Sequence, residues 1–308
     1  MARRAAVVVG AGAVAGGLTA ARARRWWQGL PEARTGRFAN GMEYARWGDG
    51  PRQLLWIPGG PGSEVPRGAF GRLSAAQLRP FLDEGFTVWQ VTRKRQMPTG
   101  YTVADMADDH ATAIEQELGG RVEAVVGLSY GGMIAQYLAA RHPDRFDHVV
   151  VALCAGRISD WGRDVDHRWA LARAEGRYRD AGLVMAEYIF PDAEQAQARR
   201  LVGPLLARLF AGEEVPAGDL LVEAEAELAF DAREVLPQIG VPVLLLAAEE
   251  DLFFPPDLVA ETERLIPDCT VVSYHGIGHL RAAMSDRLPR DVLAFVDRGS
   301  AGVSAPAR

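Results

Sequence analysis

Apolar positions along this chain gather into short, nearly unbroken runs. They are Gln53 to Ile57, Phe86 to Val91, Val122 to Gly127, His148 to Leu153, Val241 to Ala247 and Thr270 to Tyr274. Runs this short, without polar alternation, suit strands covered on both faces. Between them lie longer stretches with helical periodicity: Thr102 to Leu118, Gly131 to Arg141, Asp257 to Leu265 and Arg290 to Val296. The first of these opens Thr-x-x-Asp, a pair able to satisfy the free amides of a helix start. Ahead of them all, Asn40-Gly41 separates Arg37 to Ala39 from Met42 to Trp47, a hairpin signal. Alternating strands and helices predict an α/β fold, with a mostly parallel sheet and helices on both faces.

The alternation stops between Gly156 and Pro237. That stretch carries only helical patterns, at Trp169 to Ala174, Leu183 to Phe190, Ala198 to Phe210 and Asp219 to Phe230. A structureless loop of about 80 residues is improbable inside a compact domain. Residues 156–237 are therefore expected to form a helical cap over the C-terminal edge of the sheet, where such sheets bind ligands. The sheet domain is expected to comprise 34–155 and 238–298, with a flexible tail at 299–308.

Residues 1–33 stand apart. Ala5 to Ala21 carries no charge, with Arg3 and Arg4 before it and Arg22, Arg24 and Arg25 after it. Crossing a bilayer takes roughly 20 apolar residues, and this run is mostly Ala and Gly. It reads as a signal sequence, a weak anchor or a plain extension. The first two imply membrane association through residues 5–21 or export, and the third a cytoplasmic protein. The same stretch holds Gly10-Ala11-Gly12-Ala13-Val14-Ala15, a dinucleotide-like pattern with Glu32 beyond it. That chemistry needs a second strand ending in the acid, and Trp26 to Pro31 is not a strand.

Composition is that of a globular chain, 48% hydrophobic and 24% charged, which excludes disordered, collagen-like and coiled-coil proteins. A net charge of −6 argues against a nucleic-acid partner, which would meet a basic face. Cys154 and Cys269 form no disulfide framework or C-x-x-C pair and read as buried thiols. No H-E-x-x-H or Cys/His ligand spacing is present, so neither metal nor organic cofactor is expected. The expected partner is a small-molecule substrate.

Gly127-Leu128-Ser129-Tyr130-Gly131 fits G-x-S-x-G between an apolar run and a helix. That context turns the strand sharply into the helix and lifts the Ser hydroxyl above the sheet. Gly127 to Pro143 resembles the elbow and following helix of the α/β-hydrolase family, in particular its lactonase, esterase and cofactor-free haloperoxidase group. The resemblance extends over roughly Gly36 to Val296. It implies an eight-stranded-type sheet and a catalytic triad ordered Ser, acid, His along the chain. Ser129 is then the nucleophile, Asp251, after the run from Val243, the acid, and His279, in Gly276-Ile277-Gly278-His279, the base.

His275 is the local rival for the base. Asp160 or Asp164 would replace Asp251 if the acid followed the earlier strand. The implied oxyanion donors are the backbone N–H groups of Tyr130 and Gly60. Gly60 lies in Pro58-Gly59-Gly60-Pro61-Gly62, which resembles the family's H-G-G-P-G loop with Pro58 in place of His.

Trp161, Tyr188 and Phe254 are candidates for an apolar substrate pocket, alongside Trp169, Met185 and Leu252. Arg93-Lys94-Arg95, after a strand at the same edge, reads as a solvated charge run; the other reading is a lure for an acidic substrate. The function expected is a serine hydrolase acting on a small carboxylic ester or lactone through an acyl-Ser intermediate. One alternative is a proline-iminopeptidase-like aminopeptidase, which would need an acidic cap site such as Glu213, Glu214, Glu223 or Glu225. A non-catalytic ligand-binding member of the fold is a more distant one.

Overall fold

The computed structural model describes residues 29–210 and 215–303. Eight strands form one sheet in the order β1-β2-β4-β3-β5-β6-β7-β8. They are β1 (Arg34–Arg37), β2 (Glu43–Trp47), β3 (Arg52–Ile57), β4 (Phe86–Val91), β5 (Val122–Leu128), β6 (Phe146–Ala152), β7 (Val243–Ala248) and β8 (Cys269–Tyr274). β1 and β2 pair antiparallel across the Asn40-Gly41 turn, where Gly41 adopts a φ of 89°. β2 meets β4 antiparallel, and every other neighbour is parallel.

Alternate residues of each strand serve opposite faces, as the pleat requires. Leu55, Ile57, Val125, Val149, Val151 and Leu245 join one core, under α2 (Val103–Glu117), α3 (Tyr130–Arg141) and α8 (Pro256–Leu265). Leu54, Trp56, Val126, Val150, Leu244 and Leu246 join the other, under α1 (Gly68–Asp83) and α10 (Arg287–Val303). The centre of the sheet is thus apolar on both sides, which is why its sequence reads as unbroken runs. α2 begins as expected: the Thr102 hydroxyl accepts from the Asp105 N–H, and the Asp105 carboxylate from the Thr102 N–H.

Two departures from the sequence expectations concern helices. The pattern missed α1, whose start at Arg67 has no side-chain cap and whose last turn contains Pro80. Its buried face, Ala75, Leu78 and Phe81, is spaced by threes among glycines and polar residues. The flexible tail expected at 299–308 is corrected over 299–303, because α10 continues to Val303. The apolar segment at 5–21 lies outside the described residues, as do 304–308. Among the described residues no helix is long and apolar enough to cross a membrane.

Between β6 and β7 the chain builds four helices: α4 (Asp160–Ala174), α5 (Tyr178–Ile189), α6 (Ala196–Phe210) and α7 (Ala217–Leu228). α4, α5 and α7 share a small core of Val165, Trp169, Ala170, Ala181, Val184 and Ala224. Entry and exit are tied together: Arg157 bridges Asp231, and the Ala232 N–H donates to the Gly156 carbonyl at 2.7 Å. The chain therefore returns where it left, and β7 lies beside β6 as though nothing intervened.

Candidate active site

Ser129 sits where β5 turns into α3, at φ 52° and ψ −115°. A side-chain-bearing residue in that region is strained, by roughly 1–3 kcal/mol. The surroundings hold it there: its N–H donates to the Ala152 carbonyl at 2.8 Å, and its own carbonyl accepts from Gly132 at 2.7 Å. Little room is left for a side chain on either side of the contact with the loop after β3. A Cβ on Gly131 would collide with the Ile57 carbonyl, and one on Gly59 would lie 3.0 Å from Ser129 Cβ. Ser129 also occupies the N-cap of α3, yet its hydroxyl makes no cap bond. It is turned instead toward His279.

His279 opens the short helix α9 (His279–Ala283). Its Nδ1–H donates to Asp251 Oδ2 at 2.7 Å, and its Nε2 lies 3.0 Å from Ser129 Oγ. The carboxylate at Nδ1 sets the tautomer that leaves Nε2 free to accept a hydrogen bond from the Ser129 hydroxyl. Asp251 is itself fixed, since its Oδ1 accepts the N–H groups of Phe253 (2.9 Å) and Phe254 (3.2 Å). The side chain of Asp251 is 1% exposed and that of His279 11%, so the pair is shielded with one edge open.

The rivals fall elsewhere. His275 is 82% exposed and 3.6 Å from Glu249, Asp164 pairs with Arg168 at 2.7 Å, and Asp160 begins α4. Cys154 is buried beneath the elbow, and that burial pushes its thiol pKa well up. Cys269 is only partly buried.

The loop Pro58 to Gly62 lies against the elbow, and Gly60 has a φ of 68°. The N–H of Tyr130 belongs to the first turn of α3, whose donors lack intrahelical acceptors and carry the positive end of the helix dipole. The Tyr130 ring is buried and its hydroxyl donates to the Glu223 carbonyl at 2.8 Å.

The charge run Arg93-Lys94-Arg95 is not the solvated face expected. Arg93 and Glu223 form an ion pair at 2.9 Å with both side chains 0% exposed. Arg95 is largely buried against Glu43 and the Ser63 carbonyl, leaving Lys94 the most exposed of the three. Among the cap acids named from sequence, Glu223 is buried and Glu225 exposed, while Glu213 and Glu214 lie outside the described residues.

Above the triad, Trp161 and Tyr188 pack on Phe253 with ring centroids 5.0 Å away, and Phe253 lies 4.9 Å from the His279 ring. Phe254, the sequence candidate, is 6.0 Å from that ring and fully buried. Leu252 points partly to solvent, and Trp169 is buried within the insertion. Two more acids close this region. Tyr188 donates to Asp166 Oδ1, and Asp166 contacts Glu227. Burial lifts Asp166 to about 7, against the pull of Glu227 and His279. Burial and the charge of Asp166 push Glu227 well above the usual carboxyl range.

A surface depression lined by Asp231, Arg233, Glu234, Glu261 and Arg264 contains no triad residue, and its charges largely pair with one another. Among the described residues no three His, Cys, Asp or Glu side chains converge as a metal site.

A strained Ser on a strand–helix elbow, hydrogen-bonded to a His that is held by a buried Asp, is the arrangement of an acyl-transfer hydrolase. The alpha/beta hydrolase fold family matches residues 57–281, and the chain belongs to that family. A putative carbamate hydrolase RutD of Yersinia enterocolitica is 30% identical over 181 residues, covering 56% of this chain and 61% of that protein. The pimeloyl-[acyl-carrier protein] methyl ester esterase of Neisseria meningitidis is 30% identical over 167 residues, covering 50% and 61%. The chain thus spans about three-fifths of the length of each. The crystal structure of the enol-lactonase from Burkholderia xenovorans superposes with a TM-score of 0.62 at 22% identity, covering 84% of this chain and 98% of that one. At that identity the superposition shows the shared fold.

Proposed function

We propose that this protein hydrolyses a small carboxylic ester or lactone through an acyl enzyme on Ser129. The observation that carries the reading is the continuous Ser129–His279–Asp251 relay, at 3.0 and 2.7 Å. Ser129 Oγ attacks the substrate carbonyl carbon while His279 Nε2 takes its proton. The carbonyl oxygen, now negative, accepts the N–H groups of Gly60 and Tyr130. Collapse of the tetrahedral intermediate breaks the bond to the alcohol oxygen, which receives the proton from His279. Water then attacks the acyl carbon, passing a proton to His279, and expulsion of Ser129 Oγ returns it. Asp251 orients the imidazole and stabilises the imidazolium without changing protonation. The helical insertion acts as a cap, with Trp161, Tyr188 and the Phe253–Phe254 pair meeting the acyl or alcohol group. The ester and carbamate named for the two relatives lend support, since both reactions open an acyl bond.

Mixing the protein with an excess of aryl ester should give a burst of the phenol, with the acyl mass on the Ser129 peptide. Turnover that persists undiminished in Ser129→Ala would overturn the reading. The buried acids Asp166 and Glu227 favour a second reading, an aminopeptidase whose substrate ammonium they would attract. Amino-acyl arylamides turned over faster than aryl esters of matched size would select it.

A further inference from the structure

The oxyanion loop carries glycine at 59, 60 and 62, so the backbone around the Gly59–Gly60 peptide has wide freedom of its own. An external tie holds it. Arg93 Nη1 donates to the Pro58 carbonyl at 3.0 Å, and Nη2 donates to the Gly60 carbonyl and, at 2.9 Å, to Glu223 Oε2. The same Glu223 oxygen accepts the Gly62 N–H. The carbonyls on either side of the Gly59–Gly60 peptide are therefore pinned by one guanidinium, and that peptide carries the Gly60 N–H.

The second donor is referenced to the same pair. The Arg93 guanidinium lies 4.5 Å over the Tyr130 ring, and the Tyr130 hydroxyl donates to the Glu223 carbonyl. One turn earlier on α7, Asp219 accepts the N–H groups of Gln96 (3.0 Å) and Met97 (2.8 Å), fastening the helix to the loop that bears Arg93.

We infer that Arg93 and Glu223 are positioning residues, whose buried ion pair sets the two oxyanion donors, so that the helical insertion supplies part of the catalytic geometry. A fully buried ion pair contributes little net stability, because desolvation offsets attraction. What apolar replacements could not provide is donors for the two loop carbonyls. Lysine could not provide them either: its single ammonium lacks the planar fork that reaches Pro58, Gly60 and Glu223 together.

The inference rests on the serine-hydrolase reading above, and the test separates the two. Aryl-ester hydrolysis is measured for the wild type, Ser129→Ala, Arg93→Lys and Glu223→Gln. Each is also assayed on the matching thionoester, whose sulfur accepts hydrogen bonds poorly. Deleting an oxyanion donor outright costs about 10²–10³ in kcat. Displacing the donors should cost less, so kcat should fall about 10- to 100-fold in Arg93→Lys and Glu223→Gln, with KM within about threefold. The ester-to-thionoester ratio should fall with kcat, a signature that loss of packing alone does not give. Hydrolysis abolished in Ser129→Ala, with folded Arg93→Lys and Glu223→Gln unchanged in kcat and ratio, overturns the inference alone. Hydrolysis surviving in Ser129→Ala overturns the underlying reading and the inference with it.

Discussion

Asp251 and Asp166 are both buried aspartates, one bonded to His279 on the floor of the site and one on its roof, separated from that ring by Tyr188 and Phe253. Asp251 lies in a loop that supplies two backbone N–H groups, and the His279 ring completes its shell. Asp166 lies on a helix, whose amides are already engaged, and meets the Tyr188 hydroxyl and a second acid, Glu227. Burial raises the pKa of a carboxyl unless donors favour its charged form, and Asp166 moves to about 7. The same side chain thus does different work in the two places. Loops at the ends of strands can turn donors toward a reacting centre, whereas helices laid across it present side chains without backbone support. On the proposed reading the floor carries the bond-making groups, while the roof meets the substrate and, through Glu223, braces the oxyanion donors.

The largest effects should come from the floor. Ser129→Ala or His279→Ala should lower kcat/KM for an aryl ester by about 10⁴- to 10⁶-fold, since members of a triad act as a unit. His275→Ala, at an exposed site, should stay within about threefold of the wild type. A severe His275 variant beside a mild His279 variant would break the assignment.

Roof variants should sharpen the contrast at a smaller scale. Trp161→Ala and Tyr188→Ala enlarge the space over Phe253 and should shift acyl-chain preference by roughly 10- to 200-fold. Kinetics on a homologous ester series would show this, and an unchanged preference would count against a pocket there.

Stability against pH should report on the roof acid, Asp166. Asp166 keeps its proton to about 7 in the folded protein but loses it near pH 4 when unfolded. Between those values the folded state binds more protons, so stability falls as pH rises from about 4 to about 7 and levels off above. Asp166→Asn should flatten that stretch of the profile, as followed by urea unfolding. Glu225→Gln, on the exposed side of α7, should change stability by no more than about 0.5 kcal/mol.

The floor was legible because its chemistry is local in the chain. G-x-S-x-G, the acid after β7 and G-x-G-H after β8 each lie within a few residues of a strand end, and buried strands announce themselves as apolar runs. The roof was not, because its decisive contacts join distant segments. Asp219, Glu223 and Glu227 recur every four residues on one helix face, a spacing that reads as a solvated stripe. In the structure that stripe faces inward, toward Arg93 and Asp166. Arg93 looked like part of an exposed basic run for the same reason, since its partner lies 130 residues away. The one available signal was that spacing, shared with Leu220 and Ala224 on a helix with a buried face. Phe253 was not singled out beside Phe254, because adjacent residues after a strand give no period by which to tell which ring lies nearer His279.

Division of labour between floor and roof is tested most directly by covalent labelling with a small aryl phosphonate, read by intact mass and peptide mapping. The wild type should take up one adduct, on the Ser129 peptide, and Ser129→Ala none. Tyr188→Ala should label within about tenfold of the wild-type rate, because the triad and both backbone donors are untouched. An adduct that persists in Ser129→Ala, or a folded Tyr188→Ala that does not label, would contradict it.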